Sequence, residues 1–302
     1  MSGITPHGII PALNTLTTAQ GELDLNSLRS LVRQNIKWRA HGFAVSIVAG
    51  EFYKFSDDER KRTFKTVVDE CGGRVPVWAG VSHLGTDPAL QLARYAKEIG
   101  ADGIIAMPGL VAKEASFSLY EHFKSLLEGI DLPLMIQDSE DFNGIHMCAT
   151  LYEKLAEQYS NLIAVKVEGD HTLEKIREIR HVVGNRLTII SGKWAMLLFQ
   201  ELKLGAQGTI PDGCLTDILV EAYDDYMNGN LDKANRTFKR YKRWVDFVSL
   251  HSLSFHEIEK ETLLFRGVIN STNTRYPCVK LDETAKQELK DLLTDIEVSI
   301  TK

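Results

Sequence analysis

The chain has 302 residues, 44% of them apolar and 25% charged, with a formal net charge of −6. These values are ordinary for a soluble globular protein, and the mild acidity speaks against nucleic acid, which selects clustered Lys and Arg. No apolar run approaches the ~20 residues of a membrane span, and Met1-Ser2-Gly3-Ile4 lacks the basic and apolar regions of a signal peptide. Cys71, Cys148, Cys214 and Cys278 form no CxxC and no metal spacing, so reduced thiols in a cytoplasmic protein are expected, with no metal and no cofactor.

Taken in order, short apolar runs begin near Gly8, Gly42, Val75, Ala101, Leu132, Leu162, Leu187 and Ala206. They recur about every 28 residues, room for a strand, a turn and a helix. The runs show little alternation, as parallel strands covered on both faces do. The segments between them carry helix signals. Ser56-Asp57-Asp58-Glu59 has the spacing of a capping box. Asp87-Pro88 reads as an N-cap before a first-turn proline, and Ser118 with Glu121 repeats the capping-box spacing. Leu90, Ala93, Ala96 and Ile99 keep a helical period, as do Leu151, Leu155 and Tyr159. Eight strands alternating with helices predict an α/β fold, a (β/α)8 TIM barrel over residues 1–229. The competing open sheet often has a glycine-rich fingerprint after its first strand, and Leu13-Asn14-Thr15-Leu16 carries none. From residue 230 the rhythm changes. Residues 231–250, 257–271 and 282–300 read as three helices without strands, a C-terminal extension (230–302) packed on the barrel as one unit. Lys239-Arg240 and Lys242-Arg243, the basic cluster of the chain, read as a solvated helix face.

In such a barrel the chemistry gathers at the C-terminal strand ends. The run Leu162-Ile163-Ala164-Val165-Lys166-Val167-Glu168-Gly169-Asp170 leads four apolar residues into a lysine. Burial disfavours the ammonium, and a neutral amine attacks carbonyls. Side chains alternate along a strand, so Lys166 and Glu168 project to one side. The other ends are Val48-Ala49-Gly50-Glu51, Val81-Ser82-His83, Met107-Pro108-Gly109, Ile136-Gln137-Asp138, Ser191-Gly192-Lys193 and Ile210-Pro211-Asp212-Gly213. None of these ends offers a metal triad, and His83 reads as a polar loop residue.

The motif around Lys166, Gly50-Glu51, and Ser191-Gly192 followed by Leu204-Gly205-Ala206-Gln207-Gly208 resemble the dihydrodipicolinate synthase / N-acetylneuraminate lyase family. Arg275-Tyr276-Pro277 resembles that family's tail motif, and the likeness runs from Gly8 to about Leu293. It implies a (β/α)8 barrel, a lysine that forms a Schiff base with a 2-oxo acid, and a homo-oligomer, commonly a tetramer. Four departures stand out. The family's Gly-Thr/Ser-Thr-Gly-Glu is here Ile47-Val48-Ala49-Gly50-Glu51, its proton-relay tyrosine is Gln137, a second tyrosine is Leu110, and the arginine that holds the aldehyde substrate in the synthase is Phe142. An amide cannot titrate, and a lost bidentate arginine argues against dihydrodipicolinate synthesis. Leu134-Met135-Ile136-Gln137-Asp138 with Lys166-Val167-Glu168 is similar to the 2-keto-3-deoxy sugar-acid dehydratase branch, L-2-keto-3-deoxyarabonate dehydratase in particular.

The expected mechanism follows. Lys166 condenses with C2 of the 2-oxo acid, a base removes a C3 proton, and the C4 hydroxyl leaves with protonation. Lys166, Glu168 and Gln137 are the catalytic candidates, with Glu168 as acid/base ahead of Glu51 and Asp138. Val48, Ala49, Gly50, Glu51, Asp138, Ser191, Gly192 and Pro211 are the substrate-binding candidates. The backbone amides near Ala49 and Gly50 would take the carboxylate. Two alternatives stand beside dehydration: a retro-aldol lyase releasing pyruvate from the same imine, and a barrel that binds a 2-oxo acid without catalysis.

Overall fold

The computed structural model describes residues 4–109 and 116–300. The strands are β1 Gly8–Ile9, β2 Ala12–Leu13, β3 Phe43–Val45, β4 Val77–Gly80, β5 Gly103–Ala106, β6 Leu134–Ser139, β7 Leu162–Glu168, β8 Thr188–Ser191 and β9 Gly208–Thr209. They pair in the order β1-β9-β8-β7-β6-β5-β4-β3-β2, each ladder parallel. Each of the eight sequence runs thus supplies a strand beginning within two residues of its expected start. The ninth segment arises because the first run is split at Ile10-Pro11. Proline has no N–H to give a ladder, so β1 binds β9 on one side and β2 binds β3 on the other. The gap is bridged by Ile10 N–H to Thr209 O at 3.0 Å and Ala12 N–H to Pro211 O at 2.7 Å. Across the other edge Ala44 N–H reaches Pro11 O at 3.0 Å. The first and last strands are therefore joined and the barrel is closed.

The lumen is filled by Ala44, Trp78, Ile105, Met135, Ala164 and Ile190, a layer that seals the barrel below Lys166. The other apolar face of each strand packs outward on helices α1 Leu25–Lys37, α2 Asp57–Cys71, α3 Thr86–Glu98, α4 Ser116–Gly129, α6 Ala149–Gln158, α7 Thr172–Val183, α8 Leu198–Lys203 and α9 Thr216–Met227. A short α5, Glu140–Asn143, follows β6. Ser56 caps α2 with the full reciprocal box to Glu59. The other two start signals are displaced. Gly85 caps α3 and Asp87 sits in its first turn, where a carboxylate still meets the helix dipole. The helix α4 has already begun at Ser116, so Ser118 is interior to it.

Beyond the barrel come α10 Leu231–Leu250, α11 Phe255–Phe265 and α12 Glu283–Asp295. The second is shorter than its expected 257–271 because Arg266 ends it and Gly267, at φ 73°, turns the chain. The third ends at Asp295 rather than 300. The tail between α11 and α12 returns to the barrel through Arg275, whose guanidinium forks onto Glu59 at 2.6 and 2.9 Å. No helix among the described residues is long and apolar enough to cross a membrane.

Candidate active site

Register decides which side chains share the barrel mouth. Gln137 of β6 and Ile190 of β8 are the partners of Lys166, so all three face the lumen, and Ser139 stands beside Glu168. Lys166 is 3% exposed. Its ammonium lies 2.9 Å from Glu168 Oε2. Gln137 Nε2 donates to Glu168 Oε1 at 2.7 Å, and the backbone N–H of Lys193 donates to Oε2 at 3.2 Å. Burial pushes the Glu168 carboxyl up, but the adjacent Lys166 charge and these donors outweigh it and hold the group below the usual carboxylate range. The lysine is therefore not isolated in apolar surroundings. It stands against a carboxylate able to take the proton it must shed before attacking a carbonyl.

The Lys193 N–H reaches Glu168 because the chain after β8 is contorted. Lys193, Trp194 and Ala195 all have positive φ, at 47°, 56° and 54°. Left-handed backbone is costly for residues with a Cβ and persists where surrounding structure enforces it. Tyr241 of α10 supplies part of that enforcement, donating to Trp194 O at 2.7 Å. The Lys193 side chain is pinned by Asp141 at 3.0 Å and by Asp170. Gly192 has a steric reason to be glycine: a Cβ there would strike Glu168 Oε2 and lie 2.8 Å from Lys166 Cε.

Above the Lys166–Glu168 pair opens a cavity of about 400 Å³, within the range of small-ligand sites. Val48, Ala49, Ser139, Phe142, Trp194, Ile210 and Asp212 line it from the barrel, and Ser252 and Phe255 from the C-terminal helices. The strand β3 stops at Val45 because Ser46 takes φ 54°, and the chain turns so that Val48 and Ala49 edge the cavity. Among the described residues the N–H groups of Ala49 and Gly50 have no protein acceptor. Adjacent backbone donors without a protein acceptor suit a carboxylate. Phe142 packs at a tilt against Tyr53, ring centroids 5.5 Å apart, and brings no charge to the cavity wall.

The remaining sequence candidates lie elsewhere. Gly50 accepts from Thr15 Oγ1 at 2.6 Å and anchors the turn. Glu51 is fully buried between Lys54, at 2.7 Å, and Lys260 of α11. Burial raises its carboxyl, but Lys260 and Lys54 prevail and hold it ionised, so it braces the loop and does not line the cavity. Asp138 pairs with Val167, on the face opposite Lys166, where Tyr152 donates to it at 2.5 Å and Lys175 approaches to 2.6 Å. It is a tie between β6 and the helices α6 and α7. Ser191 also pairs with Val167's face, reaching Gly208 O at 3.4 Å. Pro211 gives its carbonyl to Ala12, while Asp212, one residue on, faces the cavity. Leu110 lies outside the described residues. Sequence reading missed Ser139, Lys193, Trp194, Asp212, Phe255 and, behind Asp212, Glu259 of α11. Strand parity alone would have found Ser139 and Asp212.

The profile of the Dihydrodipicolinate synthetase family matches residues 5–296. The chain is 26% identical over 298 residues to L-2-keto-3-deoxyarabonate dehydratase of Azospirillum brasilense, covering 95% of this chain and 94% of that protein. It is 27% identical over 296 residues to YagE of Escherichia coli K12, which carries a provisional 2-dehydro-3-deoxy-D-gluconate aldolase name, with 96% and 97% covered. The crystal structure of YagE in complex with pyruvate superposes with a TM-score of 0.89 at 26% identity, over 97% of this chain and 99% of that one.

Proposed function

Since the chain belongs to the dihydrodipicolinate synthetase family, a family of lyases, we propose that it dehydrates a 2-keto-3-deoxy sugar acid through an imine on Lys166. The observation that carries this reading is the Gln137–Glu168–Lys166 arrangement. Glu168 takes the ammonium proton, and Lys166 adds to C2 and expels water. The iminium acidifies C3, and Glu168, on the same face, removes a C3 proton to give the enamine. Expulsion of the C4 hydroxyl then leaves an unsaturated imine that water releases. The N–H groups at Ala49 and Gly50 hold the substrate carboxylate. A retro-aldol step would instead need a base on the C4 hydroxyl, and Gln137, at the position of the expected tyrosine, cannot titrate. The protein works without a cofactor, in the cytoplasm, as an oligomer with the tetramer first among the states to test.

The aldolase name of YagE supports a second reading, cleavage of C3–C4 to pyruvate from the same imine. A panel of 2-keto-3-deoxy acids read for both products separates the two. Dehydrated 2-oxo product without pyruvate is expected. Pyruvate and an aldehyde in equal amounts would replace dehydration by the second reading.

A further inference from the structure

The geometry points to the Asp212–Glu259 carboxyl pair as the acid that protonates the C4 hydroxyl as it departs, an inference that rests on the dehydration proposed above. Asp212 continues the inward parity of Gly208 and Ile210 and lines the same cavity as Lys166 and Glu168. Glu259 projects from α11 behind it, 0% exposed. Asn14 Nδ2 donates to Glu259 Oε2, while Glu259 Oε1 and Asp212 Oδ2 are buried and lack any N–H or O–H partner of the ordinary kind. The two carboxyls face each other at hydrogen-bonding range. Two ionised carboxylates at that range repel, and neither has a hydrogen to donate, so the arrangement favours one shared proton between them. Among the described residues neither lies within 4.0 Å of a lysine or arginine nitrogen. The nearby His256 is itself held neutral by burial, its pKa lowered to about 3.

The other groups around the cavity are poorer acids. Glu168 is held ionised beside Lys166. Lys193 is kept charged by Asp170 and Asp141 against the pull of burial, and Asp141 is occupied by Lys193. For Asp212, burial, eased by Glu259 and by Lys166, raises the carboxyl to about 6, and for Glu259 burial and the facing Asp212 raise it well above the usual carboxylate range. Like charges sharing a site cannot both ionise cheaply, so burial and mutual repulsion favour one shared proton on the pair. Lys166 and Glu168 on β7, Glu51, Lys260 and His256, Cys214 and Tyr241 are the titratable groups facing it.

The step balances. The C3–H electron pair becomes the C2=C3 bond as Glu168 takes the proton, and the C2=N pair moves to nitrogen. Nitrogen then returns its pair, C3=C4 forms, and the C4–O bond breaks with its electrons on oxygen. Asp212 delivers the shared proton to that oxygen, and water is released. The pair, left doubly ionised, regains a proton from Glu168 through the product water. The substrate has lost hydrogen from C3 and hydroxyl from C4, the acid and the base are restored, and Lys166 is freed when water hydrolyses the unsaturated iminium.

The test uses the full-length protein with 2-keto-3-deoxyarabonate and its 4-fluoro analogue, whose fluoride leaves without a proton. Asp212→Asn and Glu259→Gln should each lower dehydration by roughly 10²–10⁴-fold. Both should still form the reducible imine at Lys166 and still exchange C3 hydrogen in heavy water. Both should eliminate fluoride near the wild-type rate, which Glu168→Gln should not. The proposal is overturned if either variant dehydrates the hydroxy acid at the wild-type rate, or if C3 exchange and fluoride release fall together with dehydration. If Asp212→Asn forms no imine, Glu259→Gln decides, and if neither does, the pair is structural and the proposal fails. Wild type that cleaves the hydroxy acid to pyruvate removes dehydration itself, a result distinct from all of these.

Discussion

Gln137 and Glu168 are joined across neighbouring strands by a 2.7 Å hydrogen bond in which the amide donates and the carboxylate accepts. The amide leaves its own Oε1 buried and without a partner. At the position where the sequence resemblance led one to expect a titrating tyrosine, the barrel holds a group that orients Glu168 and moves no proton. On the proposed mechanism this leaves removal of the C3 proton to Glu168. Glu168→Gln should lower turnover of the best 2-keto-3-deoxy acid by roughly 10²–10⁴-fold while borohydride still traps the substrate on Lys166. Turnover equal to wild type would move the base elsewhere.

The close approach at Gly192 gives a steric test of the same pair. A Cβ at this position meets Glu168 Oε2 and, at 2.8 Å, Lys166 Cε. Gly192→Ala should fold with an unchanged melting profile and yet form less imine with pyruvate at a fixed concentration, because the pair must separate to admit the methyl group. Imine yield indistinguishable from wild type would show that the strand shifts to make room.

How much of this was legible in the sequence is clear from particular residues. The eight strands were readable because strands buried on both faces are continuous apolar runs, and only Pro11, which splits the first ladder, changed the count. Lys166, Glu168 and Gln137 were readable because they share a face. Asp138, Ser191 and Pro211 were each misplaced by one residue, and one residue turns a strand side chain through the barrel wall. Asp138 therefore meets Tyr152 and Lys175 on the helical side, and Asp212, not Pro211, meets the cavity. Glu51 faces Lys54 and Lys260 because α11 returns over the mouth of the barrel. That return, like the placement of Phe255 and Glu259, is a contact distant in sequence, and no local pattern encodes it. Three left-handed residues at Lys193–Ala195 carry no glycine or asparagine to announce them.

The wall at Phe142 sets a limit on substrates. Phe142 edges the cavity as an apolar ring where the synthase would use a guanidinium to hold a second carboxylate. Coupled assay of pyruvate with aspartate semialdehyde should give no condensation at an ordinary kcat, on the order of 1–10³ s⁻¹. Condensation in that range would contradict this reading of Phe142 and Gln137.

Glu201 of α8 makes stability depend on pH. It is buried, and burial, outweighing the easing influence of the neighbouring Ser191 hydroxyl, raises its carboxyl to about 7. A carboxyl whose folded pKa exceeds its unfolded value binds its proton more tightly in the native state. Its contribution is full below the unfolded value and is lost as pH rises through the folded one. Between pH 5 and pH 8, wild type should lose on the order of 3 kcal/mol more stability than Glu201→Gln. Asp212, raised to about 6, tilts both proteins the same way. Denaturant unfolding at the two pH values gives the difference, and equal losses in both proteins would contradict the assignment.

On the proposed mechanism Lys166, held against Glu168 at 2.9 Å, forms an imine with a 2-oxo acid. Incubation with pyruvate or 2-keto-3-deoxyarabonate, reduction with borohydride and peptide mapping by mass spectrometry test it directly. A reduced adduct is expected on Lys166 and none in Lys166→Ala. An adduct confined to Lys193 or Lys54, or none with any 2-oxo acid, would contradict it.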